Sequence, residues 1–512
     1  MSTPTVILDG ATLACEDVTR VAWDHAPVAL HAAVHPRVDR ARAVVERFEA
    51  ENRPVYGLTR GLGPAVVTEV AEADRAAYSR VVVLARAVGA GPPFATDVVR
   101  AMLVARANGM AAGGSGVRPV IVDTLVAMLN AGVHPIVPSI GSVGASDLAL
   151  MANLALPVLG EGRAEVGGEV LPGAEAIRRA AIPTVELASK EGLALCSASS
   201  VSAGQGALAL CDLEELLLLL DATAALTFEA FRANVSPIDP RVVAARPAPG
   251  QAAAAARLRD LLAGGDLLEP GAARRVQDPI SLRCVSHVHG ALRAALDFAR
   301  PHVEVELNAA ADNPLVLADD GEILSNGNFQ TPGLALAFDL LALAASQVAA
   351  LSASRVSRLM ANRLTDLPEL LTRHGMPRAG LALVSLTARS LAQEIRFFAA
   401  PASTHDPGGI EVEDSAPMTP LAVRKLATAL PHLQELCACE LVVAAQALDL
   451  RAPARVSPVA AALHREIRAR VAPLDDDRSM TPDLQAVALA VRDGDLSRAV
   501  RAAAMQPTNA DN

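Results

Sequence analysis

The chain has 512 residues, with 45 basic against 56 acidic side chains and a formal net charge of −11. That balance argues against broad binding to nucleic acid or to anionic membranes, both of which need positive potential. Aromatic residues make up 2% of the chain, too few for base-stacking platforms, while apolar residues make up 52% and are mainly Ala, Leu and Val, a mix that favours helix over sheet. Six scattered cysteines form no CxxC pair, and Cys437-Ala-Cys439 lacks zinc-site spacing, so a reducing cytoplasm without a disulfide framework is expected. The opening Met-Ser-Thr-Pro-Thr-Val has neither a basic nor an apolar leader segment, so no export signal is expected.

In chain order, residues 1 to about 35 read as short strands and turns. Helical spacing runs from about Arg37 to Glu51, and Pro54 then opens a glycine-rich loop, Tyr56-Gly57-Leu58-Thr59-Arg60-Gly61-Leu62-Gly63. Helices are predicted near 72–90, 95–112 and 119–131, then a loop over 133–147, a helix over 148–160 and a small hairpin over 161–172. Beyond Lys190 nearly everything reads as helix, with long apolar runs at 201–232, 284–300, 332–360, 379–399 and 419–449. Thr331–Ser354 holds one ionisable residue, Asp339, and is long enough to cross a membrane. Its charged neighbours favour a buried bundle helix instead, and the number of such helices predicts a homo-oligomer.

Four segments could carry chemistry. Tyr56, one of two tyrosines, opens the glycine-rich loop; as a base it would need positive potential to ionise, and otherwise it is a packed loop aromatic. Gly141-Ser142-Val143-Gly144-Ala145-Ser146-Asp147 is either a turn able to cyclise on itself or a capped helix start with Ser146 or Asp147 as N-cap. Gln277-Asp278-Pro279-Ile280-Ser281-Leu282-Arg283 offers an arginine that could fork onto a carboxylate or make a structural ion pair. Asp312-Asn313-Pro314 and Ser325-Asn326-Gly327-Asn328-Phe329 read as turns, of which Asn328 and Phe329 could line a cleft. His287 and His289 diverge on a helix and are assigned to packing rather than to metal.

Taken together, these segments resemble the aromatic amino acid ammonia-lyase superfamily of histidine and phenylalanine ammonia-lyases and related aminomutases. The resemblance rests on Tyr56-Gly-Leu-Thr, Arg106-Ala-Asn108, Gly113-Gly-Ser115-Gly116, Gly141-Ser-Val-Gly-Ala-Ser146 and Lys190-Glu-Gly-Leu-Ala-Leu195. It continues through Gln277-Asp278 with Ser281 and Arg283, Asp312-Asn-Pro-Leu315, Gly327-Asn-Phe329, Pro401-Ala-Ser403 and Glu413-Asp414. It implies a mostly α fold with a long central helix bundle, with residues 1–200 as an active-site region and 201–512 as the bundle region carrying the remaining site loops. It also implies a cytoplasmic homotetramer with shared active sites, and β-elimination of an amine from an α-amino acid. Tyr56 would remove the β-proton, Arg283 would hold the carboxylate, and Phe329 would pack near the electrophile. Gln277 and Asn313 would order the site, and Glu413 would face the substrate.

The departures from the family pattern are as specific as the matches. The family's 4-methylidene-imidazol-5-one forms from Ala-Ser-Gly; here Ala145-Ser146 runs straight into Asp147, where a Cβ and a charge obstruct ring closure. The asparagine that polarises that group is replaced by Ser197, and the tyrosine of the Gln-Asp-x-Tyr motif by Ile280. The family's selectivity segment Ser-His-Ala is Ala85-Arg86-Ala87, and Arg60 is new in the tyrosine loop. The two arginines point to an anionic or hydrogen-bond-accepting substrate side chain, unless they pair with Glu411, Glu413 or Asp147. Two enzymatic readings follow: an ammonia-lyase or aminomutase with the group cyclised from Ala145-Ser146-Asp147, or elimination of a quaternary amine from a betaine without a prosthetic group, as in ergothionase. A non-catalytic homologue is the third.

Overall fold

Local chemistry sets the helix ends. In the computed structural model, which describes residues 3–375, 377–404, 408–409, 412–453 and 455–505, the Pro119–Ala131 helix begins on the proline and ends at Gly132 with φ +69°. Proline supplies a preset φ where no amide donor is needed, and glycine tolerates the left-handed exit. The chain is mostly helical and divides into two compact units. One holds residues 1–211, 299–339 and 401–424; the other holds 212–298, 340–400 and 425–512. Both units are discontinuous in sequence, the chain returning to the first at residues 299 and 401.

The first unit opens with a parallel strand pair, Val6–Leu8 beside Val28–Leu30. Between them lies a helix, Cys15–Ala22, where only strands and turns were expected. Its buried residues Cys15, Val18, Val21 and Ala22 recur at helical spacing, and Glu16 and Asp17 suit the positive end of its dipole. The Thr96–Ala111 helix is buried from Val99 onward, including Arg106 and Asn108. A three-stranded antiparallel sheet joins Val133–Pro135, Arg163–Val166 and Glu169–Pro172. A second hairpin, Leu315–Leu317 with Glu322–Leu324, interrupts the helical region. Its Val316 and Ile323 join Ala41, Val44, Val45, Phe48, Val55 and Leu58 in one core cluster, which anchors the start of the tyrosine loop.

The second unit is built on buried helices that carry buried ion pairs. Glu440 and Arg355 are both fully buried, with two contacts of 2.6 and 2.8 Å, and Thr227 also donates to Glu440 at 2.8 Å. Such a pair is tolerated in a core when hydrogen bonds satisfy both charges. His289 is fully buried and bonds Asp221 at 2.7 Å. The Pro332–Leu359 helix has a window of mean hydropathy 1.9, of which 61% is buried, in keeping with a bundle helix rather than a lipid-facing one.

Candidate active site

The tyrosine loop is shaped by glycines that no larger residue could replace. Gly57 has φ +67°, and a Cβ there would lie 2.4 Å from Leu193 Cδ2. Thr59 ties the loop inward, accepting from Val55 N at 2.8 Å and donating to Arg53 O at 2.6 Å. Tyr56 packs against Leu62, Val82 and Leu193. Its hydroxyl oxygen accepts the Gly63 backbone N–H at 2.9 Å.

The turn at 141–147 is held as tightly. Gly144 has φ +95°, and a Cβ there would meet Thr419 N at 2.9 Å. Ser146 adopts φ +54°, uncommon for a residue with a Cβ. Its backbone N–H donates to Phe329 O at 3.3 Å, and its hydroxyl lies 3.3 Å from that of Ser197. Asp147 sits at the N-cap position of the Leu148–Ala155 helix, as anticipated, yet its side chain makes no bond to that helix. It turns instead to the Ser200–Phe231 helix, accepting from Ser202 N at 2.8 Å and Ser202 Oγ at 3.2 Å, and from Ser142 Oγ at 3.4 Å. Burial raises its carboxyl to about 6 despite those bonds, and burial together with the Asp147 charge raises Glu306 to about 7.

A buried charge cluster positions the far wall. Asp312 pairs with Arg106 at 2.9 Å, both nearly inaccessible, and Arg106 also donates to Ala194 O. Lys190 is buried beside them, gives its ammonium to Ser115 O at 2.7 Å, and is lowered to about 8 by burial. Asn313, next in the chain, accepts from Asn326 N at 3.0 Å, while the Asn326 side chain donates to Asp312 O at 3.0 Å.

These elements enclose a cavity of about 470 Å³. Tyr56, Arg86, Ala145, Ser146, Ser197, Asn313, Phe329 and Glu413 all line it, so eight of the residues singled out in the sequence converge from seven segments. Among the described residues, Arg86 hydrogen-bonds Val82 O, its own helix carbonyl, at 3.3 Å. Arg60 is not among the lining residues; it faces Glu69 at 3.4 Å, a carboxylate outside the set proposed for it. Asp147 lies behind the wall. Arg283 and Gln277 belong to the second unit, where Arg283 Nε donates to Asp278 O at 2.8 Å and Gln277 is exposed. Glu411 falls outside the described residues.

Residues 13–469 match the family model for aromatic amino acid lyases. The chain is 41% identical over 497 residues to a histidine ammonia-lyase of Symbiobacterium thermophilum, covering 97% of this chain and 98% of that one. It is 42% identical over 506 residues to one from an Anaeromyxobacter species, covering 96% and 99%. Among solved structures it is similar to ergothionase from Treponema denticola, in complex with desmethyl-ergothioneine sulfonic acid, at 28% identity and TM-score 0.92 over 96% of this chain and 99% of that one. Tyrosine aminomutase from Streptomyces globisporus gives 32% identity and TM-score 0.92 over 99% and 100%. The chain belongs to the aromatic amino acid lyase family.

This lyase is thus a carbon–nitrogen lyase, and the curated relatives it resembles are histidine ammonia-lyases. Its residues do not fit the family's prosthetic group. Ring closure would need the Asp147 amide nitrogen to attack the Ala145 carbonyl carbon. That nitrogen instead donates to Ala198 O at 2.9 Å, and closure would strip its hydrogen and leave the Ala198 carbonyl without this donor. The fully buried Asp147 side chain, fixed by three hydrogen bonds, pins the same residue in place.

Sequence reasoning missed several residues of the lyase site. Val66, Leu148, Leu193, Ser325, Asn326 and Val412 also line the cavity, whereas Asn328 is not among the lining residues. Asn326 had a signal in its Asx-rich turn; the apolar liners had none beyond being apolar. Ser202 and Glu306, which surround Asp147, carry no local mark of that role.

Proposed function

We propose that this lyase eliminates an amine from an α-amino acid or its betaine to give an α,β-unsaturated acid, without a methylidene-imidazolone group. The observation that carries the reading is the Tyr56 hydroxyl at the cavity wall, already receiving a backbone N–H from Gly63 at 2.9 Å. That donor fixes the hydroxyl oxygen at the cavity wall. The phenolate takes the β-proton, the C–H electrons form the Cα=Cβ bond, and the C–N bond breaks with its electrons leaving on the amine.

Without an electrophile to activate the amine, the substrate itself must carry a good leaving group. A quaternary ammonium does so. The likeness to ergothionase, an ergothioneine-degrading enzyme, supports this choice over a free amino acid. Arg86, which has no carboxylate partner among the described residues, takes an anionic or hydrogen-bond-accepting side chain, and Glu413 offers the opposite charge to the ammonium end.

Arg283 and Gln277 hold the substrate carboxylate from a neighbouring copy in a homotetramer. The apolar residues beside them, Val276 and Ile280, are 93% and 63% exposed, a surface suited to burial against another subunit. A cytoplasmic setting fits six cysteines that are all unpaired.

The test is a panel of amino acids and their trimethylated betaines, monitored for alkenoate absorbance and released amine by mass spectrometry. Release of trimethylamine with a conjugated acid supports the reading. Release of ammonia alone, from a protein whose mass has fallen by two waters, overturns the part that dispenses with the prosthetic group. A β-amino acid product would identify an aminomutase.

A further inference from the structure

One side chain behind the cavity wall ties three of its segments together. Gln330 follows Phe329 in the chain and is not among the lining residues. Its backbone N–H donates to Gly327 O at 2.9 Å, closing the turn that presents Phe329, and its backbone forms an isolated antiparallel bridge with Ala145. Phe329 O accepts from Ser146 N and from Ser199 Oγ, each at 3.3 Å, so the base of Gln330 is fixed beside the 141–147 turn. From that base the side chain reaches a third segment: Nε2 donates to Ser415 O at 3.1 Å, two residues after Glu413. Before Glu413 the fit is as close, since a Cβ on Gly409 would fall 1.2 Å from Glu413 O. A Glu413 carboxylate oxygen lies 3.7 Å from where a Cβ on Gly63 would stand, and Gly63 is the residue whose N–H meets the Tyr56 hydroxyl.

We propose that Gln330 is a positioning residue for substrate binding: through Ser415 it sets where the Glu413 carboxylate stands to receive the ammonium end of the substrate. The inference rests on the reading of Glu413 given above. A carboxylate holds a cation well when its own segment is ordered in advance, because ordering a loop on binding costs free energy that is subtracted from affinity. The chemical type of residue 330 matters here. An amide donor is uncharged, so it anchors Ser415 without placing a cation beside Glu413. A lysine or arginine at this position could hold the same carbonyl, but it would compete with the substrate for the carboxylate. A contact of this kind serves the bound substrate and the transition state alike, so its loss falls on KM rather than on kcat.

The experiment is a double-mutant cycle of Gln330→Met, which keeps the length of the side chain and removes its donor, with Glu413→Gln. Steady-state kinetics use the full chain and whichever amino acid or betaine the parent converts. Gln330→Met is expected to raise KM by about 3- to 10-fold, the worth of one hydrogen bond, with kcat within about twofold of the parent. In the Glu413→Gln background the same substitution is expected to change KM little, because the two residues act as one unit. Hydrogen exchange of the ligand-free protein gives a second readout that needs no turnover: peptides covering residues 412–418 exchange faster in Gln330→Met, while those covering the Pro119–Ala131 helix do not. Unchanged exchange over 412–418 overturns the proposal, as does a fall in kcat as large as the rise in KM. Additive effects on KM, with the Glu413→Gln effect itself present, overturn the role of Gln330 alone. A Glu413→Gln enzyme with parental KM instead removes the reading of Glu413, and the proposal with it.

Discussion

Asp147 Oδ2 accepts the backbone N–H of Ser202 at 2.8 Å, tying the turn at the cavity wall to the first turn of a helix 32 residues long. That amide is one of the donors a helix start leaves unpaired, so the carboxylate caps this helix while standing at the head of another.

Because burial raises Asp147 from 3.8 to about 6 and Glu306 from 4.5 to about 7, both folded-state values lie above the unfolded ones. Their contribution to stability is therefore fully present below about pH 4 and is lost as pH rises toward 7. For Asp147 this amounts to on the order of 2–3 kcal/mol. Thermal melts between pH 4 and 8 check it: Asp147→Asn flattens the part of the slope between about pH 4 and pH 6 relative to the parent.

Ser146 supplies a second prediction. In an enzyme that must build a methylidene group from this serine, removing its hydroxyl abolishes activity. Here the hydroxyl makes a 3.3 Å contact to Ser197, and under the proposed function it builds no prosthetic group. Ser146→Ala is expected to keep activity within about tenfold of the parent, the cost of one modest hydrogen bond. The parent itself is expected to show its unmodified mass.

How far these features could be read in advance depends on distance along the chain. The Pro119–Ala131 helix was legible to the residue, because proline and glycine punctuate both ends. The Cys15–Ala22 helix was not, since its eight residues sit between two strands and carry too short an apolar repeat. The tyrosine loop and the 141–147 turn announced themselves through glycine. The capping role of Asp147 did not, because its partner Ser202 is distant in sequence and looks like any other serine. The same holds for Arg60, whose side chain gave its charge but not that Glu69 answers it.

The two arginines, Arg60 and Arg86, should now separate. Arg86 lines the cavity, so Arg86→Leu is expected to lower kcat/KM for substrates with an anionic side chain by about 10- to 100-fold, the worth of one charge-assisted hydrogen bond. Arg60 faces Glu69 on the surface, so Arg60→Ala is expected to change stability by less than about 1 kcal/mol and kinetics little. Steady-state kinetics of both variants on one substrate panel provides the check.

Asp312 neutralises two buried cations, with Arg106 at 2.9 Å and Lys190 beside it. Asp312→Asn leaves them uncompensated and is expected to cost about 3–5 kcal/mol of stability. Denaturant titration of the variant measures this directly, and lost anchoring of Asn313 and Asn326 should appear as a raised KM.

The account rests on Tyr56 as the base. Deuterium-exchange and turnover measurements on Tyr56→Phe, using whichever betaine or amino acid the parent converts, address it most directly. The expected result is a fall of at least about 100-fold in kcat with the fold intact, together with loss of exchange at the substrate β-carbon. A Tyr56→Phe enzyme that turns over and exchanges at the parental rate would contradict the assignment.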